Sequence, residues 1–128
     1  MVGGYRTIAS SNSDYAQIAY ATSPSSTWTV KKVWGTDGGN NNTQIWGISY
    51  GNGYWVVGGT SGFNDYARIG YATTPSGAWT TKDLWNSDGG SRVNCVLRAN
   101  GHWVVGGMYN SDSRLAYAGS PGELGNTE

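Results

Sequence analysis

Few side chains in this sequence carry chemistry on their own. His102 is the only histidine and Cys95 the only cysteine, so no intramolecular disulfide or cysteine-based zinc site can form, and the usual histidine zinc chemistry is excluded too. A metal would have to be oxygen-bound, and no metal or cofactor is expected. The only glutamates, Glu123 and Glu128, lie at the C-terminal end, so the rest of the chain has no glutamate to act as acid, base or nucleophile partner. The carboxylates with a pattern are Asp14, Asp65 and Asp112, each preceding a short Ile/Leu-x-Tyr run; Tyr15 and Tyr66 directly follow the first two. An acceptor beside an aromatic ring suits a sugar, and an Asp that tightens the turn before a strand is the structural alternative. Two such carboxylates facing each other across a ring would be the minimum for glycoside hydrolysis. The loops Asp37-Gly-Gly-Asn-Asn-Asn and Asp88-Gly-Gly-Ser lack the alternating ligands of a calcium loop and read as turns in which the carboxylate caps backbone donors.

The elements that must position these residues come from a repeat. Tyr20-Ala-Thr-Ser-Pro-Ser-Ser-Thr-Trp28-Thr returns 51 residues later as Tyr71-Ala-Thr-Thr-Pro-Ser-Gly-Ala-Trp79-Thr, and Trp34-Gly-Thr-Asp37-Gly-Gly returns as Trp85-Asn-Ser-Asp88-Gly-Gly. Gly53-Tyr-Trp55-Val-Val-Gly-Gly59 returns as Gly101-His-Trp103-Val-Val-Gly-Gly107, and Val2-Gly-Gly4 matches the end of the same motif. In this alignment His102 matches Tyr54 and reads as a turn residue with an aromatic body, while Cys95 matches Gly47 and reads as a small buried residue. With 21 Gly, nine Tyr and seven Trp against one Phe, the composition favours tight turns and aromatic residues with a polar handle over a helical core. No apolar run follows a helical period; strand-like runs at about 53–59, 67–73, 78–85 and 92–99 make four per repeat. The last alternates Val93, Cys95 and Leu97 with Asn94, Val96 and Arg98, which predicts a strand covered on both faces. If the strands are regular, Trp28 shares a face with Trp34, and Trp79 with Trp85, as filling between neighbouring sheets.

Four short strands per period with repeated Gly and aromatic motifs is the pattern of a β-propeller. The segment Ile-x-Tyr-Ala-Thr-Ser/Thr-Pro-Ser-x-x-Trp-Thr resembles a degenerate Asp-box hairpin of the sialidase-like (BNR) propellers, whose pattern is Ser-x-Asp-x-Gly-x-x-Trp. Ser23 and Thr74 stand at its Asp position, Ser25 and Ser76 at its Gly position, and Trp28 and Trp79 match. The resemblance implies architecture, since the box is a folding element away from that family's active site. The family's chemistry uses an arginine cluster, a Tyr-Glu pair and an Asp acid. Here Arg98 aligns with Tyr50 and Arg92 with Gln44, so the arginines form no repeated pattern.

The sequence therefore predicts an all-β chain of about two and a half to three four-stranded antiparallel blades. They divide into a partial blade at about 1–34, a full blade at about 43–85, a partial blade at about 92–120 and a tail, 121–128. After Ser120-Pro121 the stretch Gly122-Glu123-Leu124-Gly125 replaces the Trp-containing strand, which fits a natural ending better than a random cut. Too few strands to close a ring would leave apolar faces open, so self-association is expected, with a dimer favoured; a fragment of a longer propeller is the alternative. Eight basic against eight acidic residues, scattered singly apart from Lys31-Lys32, offer no stripe for nucleic acid. No run approaches the roughly 18 apolar residues of a membrane helix, and the start lacks a signal peptide's regions. The expected function is a non-enzymatic, lectin-like binding module. Its ligand residues would be Asp14, Tyr15, Asp65, Tyr66, Trp34 and Trp85, and its partners a second copy and a glycan. The alternatives are an assembly unit of a virion, tail or adhesin, and a sialidase-like hydrolase.

Overall fold

A computed structural model describes residues 2–6 (backbone), 15–35, 43–61, 66–85 and 90–125. The all-β class holds: among the described residues ten strands form three antiparallel sheets. The first contains β1 (Val2–Arg6), β2 (Tyr15–Tyr20) and β3 (Thr29–Trp34); the second β4 (Gln44–Gly51), β5 (Tyr54–Thr60), β6 (Ala67–Ala72) and β7 (Thr80–Leu84); the third β8 (Arg92–Ala99), β9 (His102–Tyr109) and β10 (Asp112–Ala118). Order within each sheet follows the chain, and none is closed. The strands read from the sequence near 53–59, 67–73, 78–85 and 92–99 are β5 to β8.

Turn chemistry sets the registers. Asn52-Gly53, Asn100-Gly101 and Asn110-Ser111 all have both φ angles positive, as two-residue type I′ hairpins require. They pair Gly51 with Tyr54, Ala99 with His102 and Tyr109 with Asp112. The Pro-containing turns between β2 and β3 and between β6 and β7 are closed differently. The Ser26 amide donates to Ser23 O, and that of Gly77 to Thr74 O. Each indole then donates back to a turn carbonyl, Trp28 Nε1 to Pro24 O at 3.2 Å and Trp79 Nε1 to Pro75 O at 3.1 Å. The repeated tryptophan is thus a hairpin lock.

Pairing aligns the repeats in space. Gly58 faces Ile69 across β5 and β6, and Gly106 faces Leu115 across β9 and β10. The sheets stack in chain order around two cores. Ala16, Ile18, Val33 and Trp34 of the first sheet meet Ile45 and Val57 of the second. Val56, Ile69, Leu84 and Trp85 of the second meet Val93, Val96, Trp103 and Val105 of the third. A repeated polar contact accompanies each stack: Lys31 Nζ donates to Ser76 O at 3.1 Å, and Lys82 Nζ to Gly122 O at 2.7 Å.

Three expectations need correction. β8 is covered on one face only: a bulge between Val93 and Cys95 puts Val93 and Val96 on the same, buried side, while Cys95 and Leu97 point away from the core. The alternation is broken because one extra residue on a strand shifts all later side chains to the other face. Cys95 is for the same reason exposed, not buried. Trp79 and Trp85 do not share a core either: Trp79 packs on the first and Trp85 on the second. Both lie just outside β7, and left-handed backbone at Trp85 (φ 41°) carries its chain off the regular pleat.

Candidate functional site

Of the ligand residues expected from the sequence, four are described, Tyr15, Trp34, Tyr66 and Trp85, and they lie at one end of the first two sheets, beside the pairs Ala16–Trp34 and Ala67–Leu84. Tyr15 opens β2, half-buried, with Lys32 Nζ 4.6 Å from its ring centre. Trp34 closes β3 opposite Ala16 and shares its buried face, whereas Tyr15, one residue earlier on β2, points to the other face of the sheet. Trp34 is only 4% exposed and its Nε1 donates to Thr60 O at 3.0 Å; Trp85 is 8% exposed. Both indoles are used as filling between sheets and present no face to a ligand. Tyr66 is half-buried just before β6, and its carbonyl accepts the Ser61 amide at 3.0 Å. Asp14 and Asp65 lie outside the described residues, as do Asp37 and Asp88; Asp112 is exposed at the start of β10.

A better-formed concavity lies at the opposite end, about 17 Å away along β2 at roughly 3.4 Å per residue. There the first and second sheets part into an open groove of about 560 Å³. Tyr20, at the end of β2, and Trp55, on β5, supply two aromatic rings, with Pro75 from the β6–β7 turn. Ala21 and the hydroxyl-bearing Thr22, Ser26, Thr27 and Thr29 complete the lining, and among the described residues no charged one contributes. Tyr50 packs behind Trp55 with ring centres 4.7 Å apart at 46°, which limits the freedom of the indole. Ser26 Oγ donates to Ser23 O at 2.8 Å and is 3.2 Å from the Ser23 amide, so this rim is held by its own turn. The groove volume lies within the range of small-molecule sites.

The third sheet provides an internal control. Its counterpart of Trp55 is Trp103, which is completely buried. A 3-10 turn, Pro121–Glu123, follows β10, and the Leu124 amide donates to Pro121 O at 3.2 Å. Pro121 and Leu124 are fully buried, Leu124 in the same core as Trp103, and Gly122 comes against Tyr71, the counterpart of Tyr20. In the second sheet Pro75 O instead accepts the Trp79 indole, and Ala78, at the place of Leu124, is exposed. One inter-sheet groove is therefore filled, and its repeat is open beside Trp55.

Sequence reasoning missed Tyr20 and Trp55 because both stand inside repeated motifs and read as structural. The available signal was the break after Pro121, where Leu124 replaces Ala78 and the two copies stop being equivalent. Among the described residues no three His, Cys, Asp or Glu side chains come together as a metal site, and no helix is long and apolar enough to cross a membrane. No family model matches the chain, and no curated protein or solved structure shows a significant similarity to it.

Proposed function

We propose that this chain is a non-enzymatic, propeller-type binding module that takes a neutral carbohydrate in the groove between its first two sheets. The observation that carries this reading is the lining: two aromatic residues and four that bear hydroxyls, with no charged one among the described residues. A pyranose presents an apolar C–H face to an aromatic ring and hydroxyls around its edge, and the groove offers a partner for each. An uncharged lining gives nothing to balance a carboxylate, so the ligand class is neutral and excludes sialic acids. That separates the reading from the hydrolytic chemistry associated with sialidase-like repeats.

The test is a glycan array spanning neutral and anionic sugars, probed with the native chain and with Trp55→Ala. The expected result is saturable binding confined to neutral glycans and reduced at least tenfold by Trp55→Ala, with an unchanged circular dichroism spectrum. Binding only to anionic glycans, or equal binding by both proteins, would sink it.

A second reading is favoured by one observation. Leu97, Leu115 and Tyr117 of the third sheet are exposed, and contiguous apolar patches of this kind mark association surfaces. An assembly unit, up to a ring closed by a second copy, is the form this reading takes. Light scattering would then give a discrete mass above the 13.6 kDa chain that falls to the monomer on dilution.

A further inference from the structure

The outer face of the third sheet repeats a face whose occupant is visible elsewhere in the fold. On the second sheet the equivalent face is made by Val56 and Gly58 of β5 and Ile69 and Tyr71 of β6. There Val56 and Ile69 are completely buried beneath β8. Its centre is Gly58, where a Cβ would overlap Cγ1 of Val93 and lie 2.9 Å from Cγ2 of Val96. Two β-branched side chains of the following strand thus fill the hole left by a glycine. One sheet earlier Ile45 and Ile48 of β4, aligned with Val93 and Val96, likewise pack into the core before them.

The strand that enters has a recognisable form. β4 and β8 each carry a bulge, between Ile45 and Gly47 and between Val93 and Cys95. The bulge turns two residues three apart onto one face, which a regular strand cannot do. The residue beside the bulge faces the next sheet instead: a Cβ at Gly47 would lie 3.1 Å from Cys95 Cα, so its small size lets β8 come close to β4. The signature of the entering strand is two β-branched residues three apart across a bulge.

On the third sheet the corresponding residues are Val104, Gly106, Leu115 and Tyr117. A Cβ at Gly106 would meet, among the described residues, only Cys95 Sγ at 3.1 Å. The hole over it is an open hollow of about 470 Å³ lined by Cys95, Gly106 and Leu115, among others. Leu115 is 51% exposed, Tyr117 48% and Leu97 56%. Among the described residues, a second copy brings no free strand of this form, because its β4 and β8 are both committed to its own sheets.

We propose that this face is a docking surface for an extended segment of another polypeptide bearing that signature, seated with its two β-branched side chains over Gly106. The occupant is a strand of the β4/β8 kind, and the proposal stands on the repeat geometry, independently of the sugar groove. The experiment uses the full chain and a fluorescein-labelled peptide with the sequence of residues 43–51. Fluorescence anisotropy is expected to show saturable binding, weakened at least tenfold by replacing both isoleucines of the peptide with aspartate. Gly106→Leu or Leu115→Arg in the protein is expected to weaken it equally without altering the melting temperature of the unbound chain. Bound peptide should also slow alkylation of Cys95 by iodoacetamide at least fivefold. Absence of saturable binding by a folded chain overturns the proposal, as does equal affinity for both peptides. A dimer that survives dilution with Cys95 already protected, and that ignores the peptide, assigns the face to a second copy and overturns it too.

Discussion

Replacing Trp103 by alanine is expected to cost about 3–5 kcal/mol of folding stability, the usual range for truncating a fully buried aromatic side chain. The same change at Trp55 is expected to cost no more than about 2 kcal/mol. The two tryptophans occupy the same place in consecutive repeats, between a valine pair and a hairpin turn, so the difference isolates their surroundings. Trp103 is buried in the same core as Leu124, with the Arg98 guanidinium 5.5 Å from its ring centre. Trp55 borders the open groove. Against a typical total of about 5–15 kcal/mol for a domain, the Trp103 change brings the chain close to unfolding, whereas the Trp55 change leaves it folded for binding work. Urea denaturation of both variants measures the difference; equal losses would mean that the groove beside Trp55 is not open in solution.

Adding one methyl group separates the second and third sheets in the same way. Gly58→Ala is expected to cost about 1–3 kcal/mol, the usual penalty for overpacking, because the new Cβ overlaps Val93 and crowds Val96. Gly106→Ala, one repeat later, meets only Cys95 Sγ at 3.1 Å and is expected to change stability by less than about 0.5 kcal/mol, as surface changes generally do. Thermal unfolding of the pair gives the answer. A large loss at Gly106 would show that its face is already covered by another part of the molecule or by another molecule.

Much of the fold was legible because the repeat carries its own punctuation. Asn-Gly pairs at 52–53 and 100–101 mark type I′ hairpins wherever they occur, and the Gly-x-Trp-Val-Val-Gly-Gly motif fixes β5 and β9. What periodicity could not show was the bulge. Val93, Cys95 and Leu97 alternate perfectly in sequence, yet the pair that shares a face is Val93 and Val96. A bulge is set by pairing across the sheet, where Arg92 and Val93 meet Met108 and Gly107, and no local pattern records it.

The candidate site was less legible for a related reason. Of the aromatic residues singled out in the sequence, Trp34 and Trp85 are consumed by packing, Trp34 also by its bond to Thr60 O. A repeated aromatic residue reads the same in sequence whether it fills a core or lines a cleft. Trp55 and Trp103 make the point most sharply: they share a motif, and what distinguishes them is a leucine about 20 residues beyond the second. Burial is decided by what lies across the sheet interface, and the 3-10 turn after β10 brings Leu124 into the core that holds Trp103.

The most direct test of the sugar site is a titration of the isotope-labelled chain with neutral monosaccharides and with sialic acid, followed through amide and indole N–H shifts. A neutral pyranose is expected to produce saturable shifts, at millimolar or tighter affinity, at the Trp55 indole and at the amides of Thr22, Ser26, Thr27 and Thr29. Sialic acid should leave these signals in place. Saturable shifts centred instead on Tyr15 and Tyr66, or no shifts with any neutral sugar, would contradict it.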